Sequence, residues 1–202
     1  MNTSTYVFDF DRTLFDDDIL IASLMRMFIS YGATEEGLLN AYAKIAVQGE
    51  IWSPWKWAEY TFGNISADIN AGISGLHKRA SEMVYKDTQP FLDYIANNKK
   101  IILSYGDTRT QREKIDYSGL AHYFSDIVIT QDGKKTSEFE RFSKKENVIF
   151  IDDRGPIIDA VKSAHPDVIC IRIMRTGSAY NHEQSLRADR VITSLDDLNG
   201  ER

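Results

Sequence analysis

Two aspartates, Asp9 and Asp11, close an apolar run in the stretch YVFDFDRTLF at residues 6–15. Like charges two positions apart at a strand end repel each other unless a cation or a reacting group sits between them. Carboxylates so placed can attack an electrophile, exchange a proton or ligate a metal ion. Two further apolar runs end in the same manner. KKIILSYGD carries Ser104 near its end, and NVIFIDD ends in Asp152 and Asp153. If the three runs are neighbouring strands, four carboxylates and a hydroxyl converge on one edge of a sheet. Hard oxygen donors in that number suit Mg²⁺, which keeps most of its water and favours phosphate as a co-ligand.

The segments between these residues show what must position them. Tyr6, Val7 and Phe8 read as a strand. From Asp17 to about Lys86 the pattern is helical throughout. Ile19, Leu20, Leu24, Met27 and Phe28 recur at helical spacing up to Gly32, Thr34 and Ser66 are N-cap candidates, and Ser53 followed by Pro54 opens a third helix. The fourth helical stretch is expected to run from Ser66 to about Lys86. After Asp87 the pattern alternates. Strands are expected at KKIILSYGD, DIVIT, NVIFIDD, DVICIRI and DRVITS, with helices at TQPFLDYIANN, TRTQREKIDYSGLAHYF up to about Tyr117, SEFERF and GPIIDAVKSA. Strands alternating with helices of about ten residues indicate βαβ units and a parallel sheet. The expected fold is therefore α/β, a Rossmann-like parallel sheet flanked by helices. Residues 1–16 and 87–202 make its core, and residues 17–86 an all-helical cap inserted after the first strand.

In that order the residues resemble the haloacid dehalogenase (HAD) superfamily. YVFDFDRTLFD is similar to its first motif, an apolar strand followed by DxDxT; IILSYGD resembles the second, TQDGKK the third and VIFIDDR the acidic fourth. ADRVITSLDDL resembles the closing strand and helix of many members. The resemblance covers residues 5–16 and about 87–199, and it implies a phosphatase-type hydrolase with a helical C1-type cap. By their places in the motifs, Asp9 is the nucleophile that forms an aspartyl-phosphate, and Asp11 the acid and base, its backbone carbonyl also a metal ligand. Ser104 binds the phosphoryl group, and the amides of Tyr105 and Gly106 can join it. Lys134 or Lys135, with Lys135 preferred, offsets the negative charge. Asp9, Asp11, Asp152 and Asp153 hold Mg²⁺, and Thr13 supports the loop. The third acid that often follows the fourth motif falls on Ile157 here, so Asp159 is not expected to be a ligand. No role is assigned to Arg12, which stands where Gly is frequent. The expected activity is Mg²⁺-dependent hydrolysis of a small phosphorylated metabolite. A phosphomutase or phosphotransferase, or a non-catalytic phosphate- and metal-binding protein, are the alternatives.

The bulk properties narrow the class. A net charge of −6 over 202 residues disfavours a nucleic-acid partner. Apolar residues at 43% suffice for a core, and no apolar run is long enough to span a bilayer. Acids fall where a secretory signal would be apolar, and the single cysteine, Cys170, sits in the strand-like VICIRI; a cytoplasmic location is expected. His77, His122, His165 and His182 lack metal-ligand spacing and are expected at the surface or in loops. Trp52, Trp55 and Trp57 are expected to pack in the cap core, with an aromatic wall over the site or a subunit contact as the other readings. The oligomeric state is not legible.

Overall fold

The computed structural model describes residues 4–131, 133, 135–142 and 147–200. Six strands form one parallel sheet: β1 (Thr5–Phe8), β2 (Lys99–Tyr105), β3 (Asp126–Thr130), β4 (Val148–Asp152), β5 (Ile169–Ile173) and β6 (Arg190–Ile192), in the order β3-β2-β1-β4-β5-β6. A parallel sheet covered on both faces needs strands apolar on both sides. β1 and its neighbours satisfy that. Phe8, Ile102 and Ile151 face one apolar cluster, and Val7, Ile101, Phe150 and Cys170 face another. The Cys170 thiol is fully buried, and burial pushes its pKa up to about 12, so it acts as a packing group.

The strand order places the chemistry. The chain winds outward from β1 to β2 and β3, then crosses back to β4 on the other side of β1. Ligands of such sheets bind beyond the carboxyl ends of the strands where that order reverses. The reversal flanks β1, whose carboxyl end leads into Asp9 and Asp11. Register brings the partners alongside: Phe8 pairs with Ile151 and with Ile102, so Asp152 falls beside Asp9, and Ser104 comes level with Phe10.

Between β1 and the next core helix the chain forms α1 (Asp17–Ser30), α2 (Glu35–Val47), α3 (Pro54–Phe62) and α4 (Ala67–His77). Each starts where a short polar side chain satisfies a free amide: Asp16, Thr34, Ser53 and Ser66 accept from the amides of Ile19, Gly37, Lys56 and Ile69. The expectation that the fourth helix continues to Lys86 is corrected. α4 stops at His77, Ala80–Met83 make a 3₁₀ turn, and Val84 forms an antiparallel bridge with Phe15. The returning chain must lie extended beside the departing one. The Asp16 amide donates to Met83 O at 2.7 Å and the Tyr85 amide to Leu14 O at 3.1 Å, bonds that a helix through these residues would forbid.

The remaining helices flank the sheet: α5 (Thr88–Tyr94), α6 (Thr108–Tyr117) and α7 (Gly155–Ala164), with a 3₁₀ helix at Thr136–Arg141. One apolar cluster runs without a break from Phe8, Phe10 and Phe15 into Leu24, Phe28 and Trp57. Trp57 meets the core-packing expectation: it is buried, its indole donates to Leu38 O at 2.9 Å and its ring lies edge-on to Phe28. Trp55 and Trp52 are partly buried and pack against the same cluster; the Trp55 ring also carries the Arg109 guanidinium of α6 at 3.7 Å, and Trp52 lines the site described below. His77 corrects the surface expectation. It is fully buried between α4 and α6, with Nδ1 at 2.7 Å from Glu113 Oε2.

Candidate active site

At the carboxyl end of β1 the backbone turns away from the sheet. The Asp9 amide still donates to Ile151 O at 2.9 Å, which pins Asp9 against β4. Its carboxylate then accepts from Lys135 Nζ at 2.5 Å, and the same ammonium reaches Asp152 at 2.7 Å. Lys135 is buried and takes a left-handed backbone with φ of 47°, a strained conformation for a side-chain-bearing residue. The Arg154 amide donates to Asp152 at 2.8 Å. Burial lifts the proton affinity of Asp9, Lys135 opposes that, and Asp152 and Asp11 reinforce it; the result is a pKa of about 7. Burial, Asp152 and Asp9 together push Asp153 to about 9. Burial alone would lower Lys135, but Asp152 and Asp9 outweigh it, and its pKa is raised. Lys135 thus occupies the position expected of the site lysine; Lys134 lies outside the described residues.

Asp11 is held by groups that sequence reasoning missed. Lys114 Nζ lies 2.6 and 2.7 Å from its two carboxylate oxygens, and Gln111 Nε2 donates to one of them at 2.7 Å. Lys114 also reaches Asp17, the first residue of α1, at 3.0 Å. Gln111 and Lys114 stand three apart on α6 and so share one face of it. Asp107 starts that helix at the required place by accepting from the Thr110 amide at 2.8 Å. Burial and Asp17 raise the proton affinity of Asp11, against Lys114 and Gln111.

Ser104 is buried near the end of β2, and its hydroxyl has no hydrogen-bond partner among the described residues. A buried hydroxyl without a partner is costly unless a ligand supplies one. Beside it, the Gly106 amide donates to Thr130 O at 3.1 Å, continuing the β2–β3 ladder by one residue. The amide from which a phosphoryl contact is expected is thus engaged with β3. The Tyr105 side chain is 43% exposed, and its carbonyl accepts from Gln111 at 3.2 Å. Gly106 has φ of 151°, and a Cβ there would meet Gln111 Nε2 at 2.7 Å, so a larger residue would push on the group that orients Asp11.

Arg12, given no role from sequence, has one here. With φ of 56° it too is left-handed; its guanidinium bonds to Asp18 at 2.7 and 3.0 Å and lies 3.6 Å from Asp17. It ties the loop after β1 to the start of α1. Thr13 is buried, with its hydroxyl unpartnered and its carbonyl accepting from Arg175 at 2.7 Å. Asp159 accepts from Ser185 and from the amides of Leu186 and Arg187. Ile157 lines the site.

These side chains surround a cavity of about 400 Å³, lined by Asp9, Asp11, Lys114, Lys135 and Asp153 on the sheet side and by Trp52 among others on the helical side. Of the sequence-predicted residues, Tyr105 and Gly106 also line it, whereas Asp152 and Ser104 are buried and are not among its lining residues. A second cavity, of about 550 Å³, is lined by Asp16, Asp87 and Arg175 among others and by none of the sequence-predicted site residues.

The donor chemistry fits a hard cation. One carboxylate oxygen of Asp153 is buried without a partner, next to Asp9 and Asp152, whose charges raise its pKa. Among the described residues no group of three or more His, Cys, Asp or Glu side chains could enclose a metal ion. An unpartnered carboxylate oxygen beside two further carboxylates suits an ion that takes few protein ligands and retains water, as Mg²⁺ does. Asp153, and Asp9 through the oxygen that Lys135 does not take, would hold the ion; the Asp11 carboxylate is engaged by Lys114 and Gln111, and the Asp152 carboxylate by Lys135 and the Arg154 amide. Without a cation, Asp153 holds a proton up to about pH 9 that the unfolded chain loses near 3.8, so folded stability falls as pH rises between those values. Millimolar MgCl₂ should therefore raise the unfolding midpoint more at about pH 8.5 than at about pH 6. Equal shifts in a thermal melt at both pH values would count against these ligands.

The chain has the fold of the haloacid dehalogenase-like hydrolases. A haloacid dehalogenase-like hydrolase from Burkholderia xenovorans LB400 superposes with a TM-score of 0.78 at 20% identity, with both chains covered in full. The HAD-hydrolase YfnB from Bacillus subtilis, bound to magnesium, gives 0.64 at 15% identity over 98% of this chain and 97% of its own. L-2-haloacid dehalogenase from Xanthobacter autotrophicus gives 0.65 at 18% identity over 97% and 96%. No family model matches the sequence, and no curated protein does. Among the described residues no helix is long and apolar enough to cross a membrane.

Proposed function

We propose that this protein is a Mg²⁺-dependent phosphatase that hydrolyses a small phosphomonoester through an aspartyl-phosphate, and that residues 17–86 form a cap over a core of residues 1–16 and 87–202. The observation that carries this reading is Asp11, two residues beyond Asp9 and fixed at the cavity wall by Lys114 and Gln111. Displacing halide from carbon by a carboxylate needs no second acid, because halide leaves without a proton. Displacing an alcohol from phosphorus does, because an alkoxide is a poor leaving group.

The steps follow from the side chains present. An Asp9 oxygen attacks phosphorus, and the bond from phosphorus to the alcohol oxygen breaks. Lys135 keeps Asp9 available as a carboxylate and offsets the charge gathering on the phosphoryl oxygens. Ser104 offers its free hydroxyl to one of those oxygens. Asp11, protonated, gives its proton to the departing oxygen. As a carboxylate it then takes one from water, whose oxygen attacks phosphorus and releases Asp9. A bound Mg²⁺ would add positive charge against the phosphate. Lys114 and Gln111 are positioning residues, since they act through Asp11.

The direct test is turnover of 4-nitrophenyl phosphate with and without Mg²⁺, set beside chloride release from 2-chloropropionate. Phosphate release that depends on Mg²⁺ supports the proposal; chloride release without phosphate release replaces it with a dehalogenase. Asp11→Asn should keep the nucleophile and lose proton transfer, a step worth about 10²–10⁴-fold. Alkyl phosphates, with poor leaving groups, should suffer most in single-turnover measurements, and 4-nitrophenyl phosphate least. Equal losses for both would remove Asp11 from the proton-transfer role.

A further inference from the structure

The two sides of the cavity differ in kind. On the sheet side, each lining cation among the described residues already has an acidic partner. Lys135 has Asp9 and Asp152, Lys114 has Asp11 and Asp17, Arg12 has Asp17 and Asp18, and Arg154 has Glu183. On the helical side the lining residues other than Asp17 are Ile21, Tyr42, Ile51 and Trp52. Tyr180 closes the rim, its ring covered by the guanidinium groups of Arg12 at 4.8 Å and Arg154 at 3.8 Å. The polar groups of this wall are the Tyr42 hydroxyl and the Trp52 indole N–H, which has no partner among the described residues; a polyol or a charged leaving group would give up more hydrogen bonds to water than these two replace. A flat apolar group would gain by leaving water for the same wall.

We infer that the alcohol part of the substrate is uncharged and aromatic or similarly apolar, packed against Trp52 and Tyr42, and that these two residues set the preference for it. The inference rests on the phosphatase reading above. It distinguishes aryl-bearing phosphomonoesters from sugar and glycerol phosphates, which share the same phosphoryl chemistry.

The test measures kcat/KM for benzyl phosphate and 2-phenylethyl phosphate against glycerol 3-phosphate and glucose 6-phosphate, all esters of primary alcohols. Acetyl phosphate serves as a substrate too small to span the cavity. The aromatic pair should exceed the polyol pair by about tenfold or more, the discrimination typical of an apolar pocket. That ratio should fall toward one in Trp52→Ala. Tyr42→Ser, at a position 47% exposed and so tolerant of change, should lower it in the same direction. Acetyl phosphate turnover with polyol esters equal or preferred would overturn the inference and leave the phosphatase reading standing. A wild-type preference unmoved in both variants would overturn the assignment of Trp52 and Tyr42. Failure to hydrolyse acetyl phosphate or any of the esters would remove the phosphatase reading and this inference together.

Discussion

Asp9→Asn should abolish phosphate release, with a loss of at least about 10⁴-fold, while the protein folds as well as before or better. The size follows from the role: a nucleophile removed from a cooperating set typically costs as much as removing the set. The stability follows from the surroundings. Asp9 has a folded pKa of about 7 against an ordinary 3.8, so the folded protein holds a proton across that window that the unfolded chain has lost. Stability therefore falls as pH rises from about 4 to 7, and the neutral amide removes that fall. Lys135 keeps its second partner, Asp152, at 2.7 Å. The check is a thermal melt at about pH 8 beside single-turnover phosphate release. Turnover within an order of magnitude of wild type would end the nucleophile assignment. A melt much lower than wild type at pH 8 would show that the charge of Asp9 stabilises the fold, contrary to its raised pKa.

Lys135→Met should be damaging in both respects. The methionine fits the space but removes the ammonium that lies 2.5 Å from Asp9 and 2.7 Å from Asp152. Breaking a buried pair by deleting one partner costs about 3–5 kcal/mol, because the remaining charge is left uncompensated. Two carboxylates are left here, with Asp153 beside them. The loss should be smaller at about pH 5 than at about pH 8, since at low pH Asp9, whose pKa is raised to about 7, takes up a proton. The lysine's own contribution is the same at both pH values, since both lie below its unfolded value of 10.5, so the difference comes from Asp9. Turnover should fall by about 10²–10³-fold, as for other groups that oppose charge in a transition state. Denaturation curves at the two pH values and kcat measured with Mg²⁺ would check this. A stability loss independent of pH would mean that Lys135 acts mainly as packing.

These two residues also show how far the chain could be read without its structure. Asp9, Ser104, Asp152 and Asp153 were legible because each ends an apolar run, and an apolar run that stops at a polar group is a local pattern. The sheet and most helix starts were legible for the same reason: burial on both faces and N-capping are set by neighbours within a few residues. Of two adjacent lysines, Lys135 was preferred only for its place before a short helix; what holds its ammonium between two acids is a left-handed backbone that the sequence does not show. The partners of Asp11 left no such trace. Gln111 and Lys114 stand about a hundred positions away, in a helix whose sequence looks like a solvated surface. They meet Asp11 because β2 lies beside β1, so that the helix following β2 faces the loop following β1. The end of α4, the ion pairs of Arg12 and the engagement of the Gly106 amide with Thr130 belong to the same class. Local sequence determined which segments are strands and which residues stand at their ends. Strand order, a property of the whole chain's burial, decided which of those residues meet and therefore which proton, charge and cavity wall each of them has to work with.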